Sequence, residues 1–91
     1  PAHIKIEVET TNLDEVREAL ASGADIIMLD NMSTDLMKKA VEIIDGKAKV
    51  EASGGVSFDR LKSIAAAGVD FISVGALTHS VKALDLSQYI K

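Results

Sequence analysis

The chain has 91 residues, 47% of them hydrophobic and 26% charged, with a formal net charge of −4, which allows one domain near the lower size that holds a core unaided. Cysteine is absent, which excludes disulfides and thiolate metal sites and fits a reducing cytosol, so a cytoplasmic location is expected. The acidic balance and 3% aromatic content argue against nucleic-acid binding, no run approaches the roughly 18 apolar residues of a membrane span, and no signal-peptide pattern is present.

The first element, 4–9, alternates Ile4, Ile6 and Val8 with Lys5, Glu7 and Glu9, a period-2 strand with one apolar and one charged face. Asn12 with Glu15 forms a capping-box pattern that starts a helix over 13–22, and Gly23 ends it. A second strand is expected over 25–30. Ser33 then caps a helix over 34–44, closed by Gly46, and a third strand follows over 48–53. Ser57 caps a helix over 58–67, closed by Gly68, before a fourth strand over 70–75. Strand–helix–strand units of this length force parallel pairing with right-handed crossovers.

An internal repeat runs through these units. ALASGADIIMLD (19–30) matches IAAAGVDFISVG (64–75), so that Ala21, Gly23, Asp25 and Ile27 recur as Ala66, Gly68, Asp70 and Ile72. Repetition by pairs of βα units suits part of an α/β barrel better than a small doubly wound sheet. The expected fold is therefore α/β, with about four parallel strands and three to four helices forming a single-domain half-barrel of TIM type.

The strand faces divide cleanly. One carries Ile6 and Val8, Ile27 and Leu29, Val50 and Ala52, Ile72 and Val74, as a helix-covered face requires. The other carries Glu7 and Glu9, Met28 and Asp30, Glu51 and Ser53, Ser73 and Gly75, turning polar at the C-terminal end of each strand. In a barrel this second face points into the lumen, and its C-terminal rim is where sites are built. A sheet with one solvated face is the plainer alternative.

Three features on that rim can carry chemistry. The carboxylates Glu7, Glu9 and Asp30 can hold Mg²⁺ through water, accept a proton, or stabilise a developing cation. Ser53-Gly54-Gly55 lets backbone N–H groups approach an anion, although an ordinary βα turn has the same composition. Gly75-Ala76-Leu77-Thr78-His79-Ser80 reads as a strand end turning into a short helix, a place where late barrel loops bind phosphate.

Taken together, EVET, LDNM, EASGG and DFISVGALTHSVKALD, in this order and spacing, closely resemble the C-terminal part of quinolinate phosphoribosyltransferase, the type II phosphoribosyltransferase of NAD biosynthesis. The likeness spans residues 4 to 87. It implies a transferase that converts quinolinate and phosphoribosyl pyrophosphate, with Mg²⁺, to nicotinate mononucleotide, pyrophosphate and carbon dioxide. Carried across residue by residue, it implies that Glu9 and Asp30 are the acidic pair that stabilises the oxocarbenium-like transition state and holds Mg²⁺ through water. Ser53, Gly54 and Gly55 would form one phosphate-binding loop, with Gly75 and His79 at another, while Glu7 and Glu51 occupy neighbouring lumen positions.

The chain also departs from the family, whose members are about three times as long by this resemblance. An N-terminal domain and earlier barrel strands would supply the cations that grip both substrates, and here Lys5 and Lys49 are the only cations on the lumen face. The chain thus reads as an excised or engineered half-barrel, expected to be inactive alone and to bind no cofactor tightly. A rival reading is a receiver-like, flavodoxin-type module with Asp30 as phosphoacceptor, but its last strand would need a lysine where Gly75 stands. Two raw sheet edges, at the first and fourth strands, predict a homodimer. Folding of the tail 84–90 over the exposed face is the alternative.

Overall fold

The computed structural model describes residues 4–54, 57–75 and 81–85. Within them lie β1 (Glu7–Thr10), α1 (Leu13–Ala21), β2 (Ile26–Leu29), α2 (Thr34–Ile44), β3 (Lys49–Gly54), α3 (Phe58–Ala66), β4 (Phe71–Gly75) and β5 (Val81–Asp85). The sheet order is β1-β2-β3-β4-β5, and the first four strands pair in parallel. The helices predicted over 13–22, 34–44 and 58–67 and the four predicted strands are present, with boundaries moved by a few residues.

Each helix begins where a side chain can satisfy its first free N–H. Asn12 Oδ1 accepts from Glu15 N at 2.8 Å, and Ser33 and Ser57 accept from Leu36 N and Arg60 N, each at 3.2 Å. The expected capping box at α1 is altered. Glu15 reaches past the cap residue to Thr11, accepting from its N–H at 2.6 Å and its hydroxyl at 2.9 Å. These bonds to the charged form hold the Glu15 carboxyl below the usual carboxylate range. Helix ends follow the glycines: Gly23, Gly46 and Gly68 all have positive φ, and at α2 Asp45 (φ 47°) enters the left-handed region first.

One sheet face and the three helices make the core. Ile27, Leu29, Val50, Ala52 and Ile72 pack with Val16, Met37, Ala40, Ile44 and Ile64, and Met32 joins them from the loop after β2. Sequential strand order has no reversal point, so successive right-handed crossovers place the helices on one side. The receiver-like reading fails on this topology, because a doubly wound sheet needs its strand order to reverse.

Two expectations at the sheet ends are corrected. β1 starts at Glu7 and extends to Thr10, so Ile4 and Ile6 are exposed, at 81% and 52%, instead of lining the apolar face. Thr10 takes that inward position: it is fully buried and donates its hydroxyl to Met28 O at 2.8 Å. At the other side β4 is not an edge. A fifth strand, β5, pairs with it antiparallel, from Phe71 opposite Asp85 to Gly75 opposite Val81. Leu84 and Asp85, assigned to a tail over the sheet face, lie in this strand instead, and the rest of the tail is outside the described residues. Among the described residues the sheet's edges are β1 and β5.

The internal repeat has a structural explanation. Asp25 and Asp70 precede β2 and β4 and do the same task. Asp25 N donates to Ile6 O at 2.9 Å while its carboxylate accepts from Ile6 N at 2.8 Å. Asp70 N donates to Val50 O at 2.8 Å while its carboxylate accepts from Val50 N at 2.9 Å. Each aspartate closes a two-bond ring at the N-terminal end of a parallel pair, where a backbone N–H would lack a ladder partner.

Candidate active site

Register places the candidate residues on one face. Glu9 lies opposite Met28 on β2, which in turn lies opposite Glu51 on β3, and Ser53 lies opposite Ser73 on β4. Continued alternation past Leu29 brings Asp30 to the face of Met28, diagonal to Glu9. Asp30 is held there by its own backbone, whose N–H donates to Thr10 O at 2.9 Å. The buried Thr10, missed because the first strand was ended at Glu9, thus bonds β2 twice beside the acidic pair; its signal is the apolar alternation Ile6, Val8, Thr10. Immediately beyond Asp30 the chain turns through Asn31, a non-glycine residue in the left-handed region at φ 58°.

The polar face is unevenly solvated. Glu7 and Glu9 are exposed, whereas Glu51 is 8% and Ser73 7% exposed. Burial pushes the Glu51 carboxyl above the ordinary range, and the Glu7 charge and a hydrogen bond to Glu7 push it the same way. Glu51 therefore holds its proton more tightly than a solvated glutamate would.

No group of three or more His, Asp or Glu side chains among the described residues is close enough to enclose a metal ion. Carboxylate oxygens are the donors a hydrated Mg²⁺ takes, so Glu9 and Asp30 are chemically suited to such an ion. Gly54 ends β3 and Gly75 ends β4, at the same rim as Asp30. Gly55 and His79 lie outside the described residues, as does the expected short helix after Gly75. An open hollow between β1 and α1, lined by Val8, Glu9, Glu15, Glu18, Ala19 and Ser22, is too acidic for an anion and shares only Glu9 with the rim.

Parallel βα units with carboxylates and glycines at the C-terminal strand ends define an α/β protein, and that rim is its candidate site. The family model for the quinolinate phosphoribosyl transferase C-terminal domain matches residues 1–88. The chain belongs to this family. It is 50% identical over 90 residues to a probable nicotinate-nucleotide pyrophosphorylase (carboxylating) of Methanocaldococcus jannaschii, and the match covers 91% of the chain and 32% of that protein. A Bacillus subtilis protein of the same description is 44% identical over 84 residues, covering 92% of the chain and 29% of its own length. Among solved structures, the nicotinate-nucleotide pyrophosphorylase of Francisella tularensis superposes with a TM-score of 0.73 at 52% identity, over 87% of this chain and 29% of that one. That of Ehrlichia chaffeensis gives 0.76 at 44% identity, over 88% and 29%. The chain thus spans about a third of the length of these relatives. No helix among the described residues is long and apolar enough to cross a membrane.

Proposed function

We propose that this chain supplies the acidic and phosphate-binding rim of a quinolinate phosphoribosyltransferase active site, built on a half-barrel. The observation that carries the reading is the convergence of Glu9, Asp30 and the Ser53–Gly54 strand end on one face at one end of the sheet. In the proposed reaction the quinolinate nitrogen bonds to C1 of phosphoribosyl pyrophosphate as the bond from C1 to pyrophosphate breaks. Carbon dioxide then leaves the ring, and a proton takes its place. Positive charge grows on the ribose as pyrophosphate departs, and carboxylates already fixed beside it stabilise that charge without reorganising. Glu9 and Asp30 have this role. They would also hold Mg²⁺ through water, and the ion when bound would offset charge on the departing pyrophosphate.

Backbone N–H groups at Ser53, Gly54 and Gly55 are assigned to one phosphate, with Gly75 and His79 at another. Glu7 and Glu51 occupy neighbouring positions on the same face. The chain by itself offers few cations toward two polyanionic substrates, since Lys49, on β3 opposite Ile26, lies at the far end of the strand from Gly54. Alone it is expected to form no nicotinate mononucleotide while retaining weak anion binding, on the order of millimolar. Titration with inorganic phosphate tests this through the amide signals of Ser53 and Gly54. Shifts that saturate in the millimolar range support the reading, and their absence at tens of millimolar would overturn it. Self-association through the open β1 edge belongs to the same proposal, because that strand's outer backbone groups are unpaired within the described sheet.

A further inference from the structure

The loop that carries Asp30 is gripped from a distance. Arg60 Nη2 donates to Met32 O at 3.0 Å, a half-buried bond across 28 residues of sequence. It joins the loop after β2 to the first turn of α3, whose N-cap Ser57 follows the Ser53–Gly54–Gly55 run. A cation is unfavourable in a helix's first turn, where the backbone dipole is positive. Among the described residues Arg60 has no ion pair to offset this, whereas the chain's other arginine, Arg17, pairs with Asp14 at 3.1 Å on the surface. The loop also has features that need holding. Asn31 is left-handed at φ 58°, and the next residue, Met32, buries its side chain at 2% exposure. Ser33 then caps α2.

We propose that Arg60 is a positioning residue that clamps the loop 30–33 to α3 and so fixes Asp30 relative to the Ser53–Gly54 strand end. It touches neither a substrate nor a metal in this role; it acts through the Met32 carbonyl. A guanidinium suits the task because its planar fork stays fixed while one N–H is committed. The consequence for function rests on the reading of both rims as one site, whereas the clamp itself does not.

The test compares Arg60→Met and Arg60→Lys with the surface control Arg17→Lys by amide hydrogen exchange. In Arg60→Met, Asp30, Leu36 and Met37 are expected to exchange roughly tenfold faster or more, as loss of one charged-donor bond implies. Ile27 and Val50 in the sheet should keep their rates, and Arg17→Lys should change neither group. Arg60→Lys keeps the charge and stem but not the fork. It should show a smaller acceleration at the same three amides, and it decides the matter if Arg60→Met does not fold. Unchanged exchange at those three amides, or equal acceleration throughout the sheet, would overturn the clamp. A second arm adds inorganic phosphate. In the unsubstituted chain, shifts at Ser53 and Gly54 should be accompanied by shifts at Asp30 and Asn31, and Arg60→Met should keep the first pair and lose the second. Retention of both pairs would overturn the coupling. Absence of any shift at Ser53 and Gly54 in the unsubstituted chain would instead refute the phosphate site, with the exchange rates still deciding the clamp.

Discussion

Glu51 shows how a single side chain on the polar face couples folding to pH. Its carboxyl is raised by burial and by Glu7, so the folded chain binds a proton there more tightly than the unfolded chain does. Below the ordinary carboxylate range both states are protonated and the group is neutral to stability. As pH rises through that range to the raised folded value, the unfolded state ionises first and stability falls. Glu51→Gln should therefore raise the melting temperature near pH 7 and leave it almost unchanged near pH 4. Thermal melts at the two pH values check this; an equal gain at both would show that packing, not charge, is responsible. Glu15 has the opposite sign. Its lowered carboxyl favours folding above the ordinary range, and that contribution is lost as pH falls through the depressed value. At this scale the sequence was informative about which residues share a face, because strand alternation alone puts Glu7, Glu9, Glu51 and Ser53 together. It was uninformative about their solvation, since nothing local distinguishes Glu51 from Glu9.

At the scale of the element, what was legible followed from punctuation. Asn12, Ser33 and Ser57 start helices, and Gly23, Gly46 and Gly68 end them, because each local conformation excludes most other residues. Gly68 is the most demanding of these: at φ +98° an L side chain is strained, and an added Cβ would meet Val41 Cγ1 at 3.3 Å. Gly68→Ala is expected to cost about 1–2 kcal/mol, measured by denaturant unfolding. Ser57→Ala should cost about 1 kcal/mol by loss of the cap bond to Arg60 N. β5 was not legible. Val81–Asp85 has no strong alternation, and its strand character comes from the free edge of β4, a long-range cause that a local window cannot contain. The Arg60 bond to Met32 was hidden likewise, since its partners are distant in sequence and one of them is a carbonyl.

For the whole molecule the decisive feature is an open sheet. Among the described residues β1 keeps one side of its backbone unpaired, and exposed Ile4 and Ile6 stand beside it. A second copy is the simplest cover, so light scattering at high micromolar concentration is expected to give about twice the 9.6 kDa chain mass. Repulsion between facing Glu7 and Glu9 sets opposes this and is screened by salt, so association should strengthen as ionic strength rises. A monomer at both low and moderate salt would rule the dimer out.

The paired rings closed by Asp25 and Asp70 sit at the opposite end of the strands from Asp30 and Gly54. The molecule is therefore polarised in what it tolerates. In a library of single substitutions, two selections should separate along the strand axis. Changes at Asp25 or Asp70 should deplete the protein from the cell, because each leaves a strand N–H and its partner backbone without closure. Changes at Asp30 or Glu9 should leave abundance intact, since these side chains belong to the proposed rim and close no strand pair. The residue before a strand would then be read in the amount of folded protein and the residue past its end in what the proposed rim binds, so adaptation at one end would proceed largely free of the constraints at the other.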